Sequence, residues 1–255
     1  MKELKVIKIG GNVIDNPEAL DSFLDKFAAL EGNKILVHGG GKVASEMLKG
    51  LGIEPRMHNG RRITDAETLK VVTMVYAGLI NKNIVAALQK KGCNAAGLSG
   101  ADCNCITADM RPKEPIDFGF VGDIAEVNAG AFGMFIENGI VPVVCAINHD
   151  GKGTLLNTNA DSVASAISVA MAEEYKTSFV FCFEKQGVLY DKDDDSSVIP
   201  VIDKAMFESL KAEGRVADGM LPKLENAFAA IEKGVSEVVI KHAGNLDKPI
   251  ETKIK

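Results

Sequence analysis

Four short segments of this chain place glycine, lysine, asparagine or aspartate where a strand pattern gives way to a helix pattern. In open α/β sheets that edge is where ligands sit. In Lys8-Ile9-Gly10-Gly11-Asn12, two glycines directly after a strand let the backbone approach an anion and turn N–H groups toward it. Lys8 lies inside the strand, where a cation is either a ligand for that anion or a surface lysine ahead of a tight turn. His38-Gly39-Gly40-Gly41 puts a triple glycine before a helix N-terminus, a natural cradle for a carboxylate or oxyanion. A plain turn rarely needs three glycines, given their entropic cost. Asn157-Thr158-Asn159-Ala160-Asp161 opens another helix. One N-cap accounts for one of its polar side chains, and Asp161 in the first turn could orient cations. In Asp218-Gly219-Met220-Leu221-Pro222-Lys223, proline is tolerated in a first helical turn, but Lys223 sits beside a helix N-terminus. That placement is unfavourable for a cation unless a bound polyphosphate supplies negative charge. Arg62, within Asn59-Gly60-Arg61-Arg62-Ile63-Thr64, has the planar fork that clamps carboxylates, with a solvated arginine as the plain alternative.

The elements that must hold these residues alternate along the chain. Leu4 to Ile9 reads as a strand, and Asn16-Pro17 opens a helix with Leu20, Phe23, Leu24, Phe27 and Leu30 on one face. Lys34 to His38 is a second strand, followed by a helix through Val43, Met47 and Leu48. Thr64-Asp65-Ala66-Glu67 is a capping-box pattern starting a long helix that stops near Gly92. Ile140 to Ile147, Thr177 to Phe183 and Glu237 to Lys241 read as strands, with Ala160 to Ala172 and Pro222 to Ile231 as helices. Phe118 to Val127 reads as part of a hairpin punctuated by Gly119 and Gly122. Such alternation implies an α/β fold, a three-layer αβα sandwich around a mostly parallel open sheet. With no repeat or linker, a lobe boundary is expected near residue 170, giving lobes 1–170 and 171–255 on one continuous sheet.

At 255 residues the chain can bury a full core, and 46% hydrophobic with 25% charged residues excludes disorder. A net charge of −6 without a basic cluster argues against nucleic acid and anionic membranes as partners. No apolar stretch is expected to approach bilayer-spanning length, and Met1 to Gly11 runs straight into a strand without a signal-peptide pattern. Cys93, Cys103, Cys105, Cys145 and Cys182 are scattered, which fits reduced thiols in a cytoplasmic protein. Cys103-Asn104-Cys105 has no second Cys or His pair at ligand spacing, so no protein metal ligand is named. Neither glycine run completes the G-x-G-x-x-G of a dinucleotide-binding oxidoreductase.

Together the segments resemble the amino acid kinase family from Lys5 to about Lys241, in the family's order and spacing. The marks are IKIGGN, VHGGGK, NGRRIT, AGLINK, GLSGAD, GFVGDI, NTNAD and ADGMLPK. NGxRxT with NxNAD separates one branch from the carbamate, uridylate, aspartate and glutamate 5-kinases. That branch uses ATP to phosphorylate the γ-carboxylate of N-acetyl-L-glutamate, the second step of arginine biosynthesis. The resemblance implies that Lys8 and Lys223 hold the ATP phosphates and that Asp161 positions both lysines. It implies that Gly10, Gly11 and Gly40 give N–H groups to the phosphoryl and the attacking carboxylate. Gly40, Gly41, Arg62 and Asn157 would fix the acylated glutamate. Mg²⁺ is implied on the nucleotide, held by phosphates and water, and the long helix from Asp65 to Lys90 is implied in a homodimer. An N-succinyl-glutamate kinase and a non-catalytic sensor are the alternatives, although a sensor is expected to lose a phosphate-binding lysine.

Two stretches depart from the family pattern. Phe183-Glu184-Lys185-Gln186-Gly187-Val188-Leu189 stands where Thr/Ser-Asp-Val-x-Gly-Val-Leu is usual near the nucleotide, and Glu251-Thr252-Lys253-Ile254 replaces Gly-Thr-x-Ile. The extra N-terminal helix of arginine-inhibited members is not found before the first strand, which implies arginine insensitivity.

Overall fold

The structure is a computed structural model that describes residues 1–191, 193–215 and 220–255. Asp218 and Gly219 of the fourth segment lie outside the described residues.

Strand β1 (Lys2–Ile9) leads through a helical turn to α1 (Pro17–Ala29), whose Asn16 side chain accepts from Ala19 N at 3.0 Å, the expected cap with Pro17 behind it. Then follow β2 (Asn33–His38), α2 (Gly41–Gly50), the long helix α3 (Ala66–Lys90), β3 (Ala95–Leu98), β4 (Ile106–Met110) and β5 (Gly122–Val127). After α4 (Ala129–Glu137) come β6 (Val141–Cys145), β7 (Ile147–His149), β8 (Leu155–Asn157) and α5 (Ala160–Met171). The chain closes with β9 (Tyr175–Phe183), β10 (Val201–Ile202), α6 (Lys204–Ala212), α7 (Leu221–Glu232), β11 (Glu237–His242) and β12 (Thr252–Ile254).

Two compact units result, Met1–Ile35 with Ala164–Lys255, and Leu36–Val163. The chain leaves the first within β2 and returns to it within α5, so these units are not separated by one cut near residue 170. The cause is pairing: β1 lies parallel to β9 along its whole length, from Lys2 opposite Tyr175 to Ile9 opposite Cys182. In this unit β9 also pairs with β11 in parallel, β11 with β12 antiparallel, and β12 with β10 in parallel. Val6, Ile7, Phe179, Phe181, Val238 and Ile240 are buried, so successive residues pointing to opposite faces are both covered, as in a sheet with helices packed on it.

In the second unit β6 pairs in parallel with both β2 and β3. A smaller four-stranded sheet has the order β8-β7-β4-β5. Its β4–β5 pair is antiparallel, which makes β5 one arm of the expected hairpin. Helix α3 buries Val71, Val72, Val75, Tyr76, Ile80, Ile84 and Leu88, a stripe at helical spacing.

Three local expectations need correction. The N-cap of α3 is Asp65, whose carboxylate accepts from Thr68 N at 2.9 Å, while Thr64 pairs with the Gly119 segment. Residues Met74–Ile80 of α3 form a π-helical stretch, a local widening that leaves no signature in apolar periodicity. And α3, 25 residues long, is long and apolar enough by length and composition to cross a membrane, contrary to the reading of its sequence. Its apolar run Met74–Ile80 is bounded by polar residues among Glu67 to Thr73 and at Asn81 to Asn83. It buries its apolar stripe together with Thr68 and Asn81 inside its own unit.

Candidate active site

In the first unit, Lys8 sits near the carboxyl end of β1 opposite Phe181, half-buried, and its charge acts on Cys182. Burial pushes the Cys182 thiol up to about 12, against the positive fields of Lys241 and Lys8. Gly10 N donates to Cys182 O at 2.9 Å, so the sheet has taken the N–H that was expected to face an anion. Gly10 instead supplies close approach, since a Cβ there would meet Cys182 O at 3.5 Å and Phe183 Cβ at 3.7 Å. Gly11 is exposed and opens the helical turn Gly11–Ile14, which has no side-chain cap. Lys223 lies half-buried in the first turn of α7, behind Pro222 and again without a side-chain cap. Lys8 and Lys223 thus belong to one compact unit, and each is engaged by another group.

The second unit holds the triple glycine. Gly40 has φ +151°, and a Cβ there would collide with Ile80 Cδ1 and come within 3.1 Å of the Tyr76 ring. Both side chains come from the π-helical stretch of α3, so that irregularity sets the wall of the cradle. Arg62, only 7% exposed, donates through one Nη2 to Gly41 O at 2.8 Å and to Ser45 Oγ at 2.7 Å. Its Nη1 is buried with no hydrogen-bond partner among the described residues. An unanswered guanidinium N–H is costly to bury, and a substrate carboxylate is its natural acceptor. Burial pushes the Tyr76 hydroxyl above its ordinary pKa, against the opposing positive charge of the nearby Arg62 guanidinium. Position Gly41 faces both groups: a Cβ there would be 3.9 Å from Arg62 Nη2 and from the Tyr76 hydroxyl.

Asn157 ends β8, and its Nδ2 donates to Thr64 Oγ1 at 3.0 Å. Asn159 provides the cap of α5, its Oδ1 accepting from Asp161 N at 2.8 Å and Ser162 N at 3.2 Å. The polar cluster therefore divides into one cap, one buried amide and one carboxylate, Asp161, half-buried in the first turn of α5. Composition of the segments drew attention to Arg62 and Asn157. Ser45, Thr64, Tyr76 and Ile80 escaped it, because ordinary helix and turn residues carry no signal until the fold brings them to the glycines.

The two departures from the family pattern are coupled within the first unit. Thr252, fully buried, donates to Ile199 O at 2.7 Å and accepts from Val188 N at 2.8 Å, fixing the Gly187–Leu189 segment. Glu251 meets the buried Lys241 at 2.8 Å and Lys253 at 3.4 Å. Gln186 and Asn245 are hydrogen-bonded through their side-chain amides.

The amino acid kinase family pattern matches residues 3–242, and the chain belongs to the amino acid kinase family. The acetylglutamate kinase of Cytophaga hutchinsonii is 57% identical over 247 residues, covering 96% of this chain and 94% of that protein. The acetylglutamate kinase of Phocaeicola vulgatus is 54% identical with both chains covered in full. Among solved structures, smu.665 of Streptococcus mutans UA159 superposes with a TM-score of 0.82 at 25% identity, covering 100% of this chain and 99% of that one. Giardia carbamate kinase superposes with a TM-score of 0.70 at 14% identity, covering 99% and 98%, and shows the shared fold alone. The α/β class with a mostly parallel sheet, expected from sequence, is the fold of this family.

Proposed function

We propose that this chain transfers the γ-phosphoryl group of ATP to the γ-carboxylate of N-acetyl-L-glutamate, giving an acyl phosphate in the acetylglutamate kinase reaction of arginine biosynthesis. The observation that carries the reading is the buried Arg62, whose Nη1 lacks an acceptor beside the Gly40–Gly41 cradle. The full-length similarity to acetylglutamate kinases supports the choice of acceptor.

The attacking carboxylate is ionised at neutral pH, so no general base is required. Positioning and charge stabilisation are what the protein must supply for phosphoryl transfer. Lys8 and Lys223 neutralise the phosphates, Gly11 offers its backbone N–H to them, and Gly10 lets them approach. Asp161 keeps cationic groups oriented. Gly40 and Gly41, with Arg62 and Asn157, hold the amino-acid end of the acceptor. Mg²⁺, bound on nucleotide oxygens and water, neutralises phosphate charge. Functionally, residues 1–170 serve the acceptor and dimerisation, apart from Lys8, Gly10 and Gly11 at the phosphates, and residues 171–255 serve the nucleotide.

Two further parts of the reading go with this. The chain forms a homodimer through α3, which exposes the large apolar side chains Met74 and Leu79 outside its buried stripe. Five free cysteines, four of them buried, suit a reducing cytoplasm. Sedimentation equilibrium tests the dimer, and a monomer at micromolar concentration rejects it.

The reaction is tested by ADP release with N-acetyl-L-glutamate, N-succinyl-L-glutamate, L-glutamate and L-aspartate as acceptors. Acetylglutamate is expected to give the highest kcat/KM. A higher value for any other acceptor, or binding of ATP and acetylglutamate without ADP release, overturns the proposal.

A further inference from the structure

An asparagine side chain presents an acceptor on one end and a donor on the other, with nearly the same shape. Which end a ligand meets decides which chemistry is recognised, and the surrounding hydrogen bonds fix that choice. In the second unit the choice is made by Thr64. This residue is fully buried and clamped by its backbone, its N donating to Phe118 O at 2.9 Å and its O accepting from Phe120 N at 2.7 Å. Its hydroxyl has one proton, directed to Arg62 O at 3.3 Å. Toward Asn157, 3.0 Å away, the hydroxyl therefore turns a lone pair, and the end of the amide that faces it must be the donating Nδ2. The backbone of Asn157 is held as well, its N donating to Phe120 O at 2.9 Å, so the side chain has little freedom to find another arrangement. Asn157 Oδ1 is left without a hydrogen bond among the described residues, yet it is not one of the sealed, orphaned atoms. It is open to a ligand.

We infer that Thr64 is a positioning residue that fixes the Asn157 amide with its carbonyl oxygen toward the substrate, so that the site reads the amide N–H of an N-acylamino acid. This rests on the proposed assignment of Arg62 and Asn157 to the acylglutamate. It adds the reason the acyl group must be attached through nitrogen. The hydroxyl of Thr64 touches both sides of the recognition. It donates to the backbone of Arg62, whose buried Nη1 seeks a carboxylate, and it orients Asn157, whose oxygen seeks an N–H. A carboxylate and an amide N–H are the two groups borne by the α-carbon of an N-acylamino acid. A site built to accept from an N–H rejects the analogue that lacks it, because the oxygen stays unpaired.

The test compares acetylglutamate with its oxygen ester, 2-acetoxyglutarate, which keeps both carboxylates and the acetyl group but has no N–H. Wild-type enzyme is expected to favour the amide by at least about tenfold in kcat/KM. In Thr64→Val, of the same shape but with no lone pair to hold Nδ2, the amide can rotate and the preference is expected to fall below about threefold. KM for acetylglutamate should rise while KM for ATP stays unchanged. Thr64→Ser should restore the wild-type preference. Asn157→Asp, which has only acceptor oxygens, should keep it and gives a reading even if Thr64→Val does not fold. Loss of the preference in Asn157→Asp or Thr64→Ser, or a full preference in folded Thr64→Val, overturns the inference while leaving the reaction intact. A wild-type enzyme that releases no ADP with acetylglutamate overturns the reading of the site itself.

Discussion

His38 Nε2 lies 3.0 Å from Asn81 Nδ2 in the interior of the second unit, at the point where β2 runs into the triple glycine. The same Nδ2 group donates its other proton to Val143 O at 2.9 Å, so the imidazole accepts at Nε2. Its own proton is then at Nδ1, 2.8 Å from Gly39 O. A neutral ring thus ties α3 to the backbone of the glycine cradle. Complete burial, with Lys82 adding to it, lowers the His38 pKa from 6.5 to about 4.

The unfolded chain therefore binds one more proton than the native one between about pH 6.5 and 4, and stability falls as pH drops through that window. The full difference is about 3 kcal/mol for this group. Urea unfolding between pH 7 and 4 should show that slope in wild-type protein and a flatter one in His38→Gln. Equal slopes would remove His38 as the cause.

Lys8→Arg and Lys223→Ala should each reduce kcat by about a hundredfold or more, with KM for acetylglutamate changed little. Both act on phosphate charge in this reading, and Arg cannot reproduce a point ammonium at the end of a strand. Steady-state kinetics with a folded variant at unchanged kcat would strip that lysine of its role.

Gly40→Ala combines a left-handed backbone with a collision against Ile80, and should cost roughly 3 kcal/mol. Gly32→Ala, at φ +81° but with open space around the new Cβ, should cost about 1 kcal/mol. Similar urea midpoints for the two variants would show that the wall formed by Ile80 and Tyr76 is not tight.

Native protein treated with iodoacetamide near pH 8 should take up one carbamidomethyl group, on Cys103. It is the exposed thiol, whereas burial pushes Cys105, Cys145 and Cys182 up to about 12. Mass spectrometry showing comparable labelling at Cys145 or Cys182 would contradict their burial.

Much of this fold is legible without coordinates. Most β-branched runs become strands within a residue or two, although Ile140 to Ile147 divides at Ala146 into β6 and β7 of different sheets, and Asn16-Pro17 opens its helix as the cap rule requires. Glycine runs and out-of-place cations mark Lys8, Gly40 and Lys223 because each breaks a local preference. What stays hidden depends on distance in space. The π-helical stretch follows the same apolar spacing as the helix around it. That Gly10 is taken by Cys182 O depends on a strand more than 170 residues away in sequence. Thr64 looks like a cap because Asp65, the true cap, stands beside it.

The pairing of β1 with β9 sets an order on synthesis. Glu3 and Lys176, ion-paired at 3.2 Å, are separated by 173 residues, whereas β3 to β8 find their strand partners among the described residues inside Leu36–Val163. A nascent chain emerging from the ribosome can close the contiguous block while its first strand still lacks β9. The side of the apolar run Val6 to Ile9 that pairs with β9 must wait through most of translation, the interval in which chaperone capture or mispairing between polysome neighbours would act.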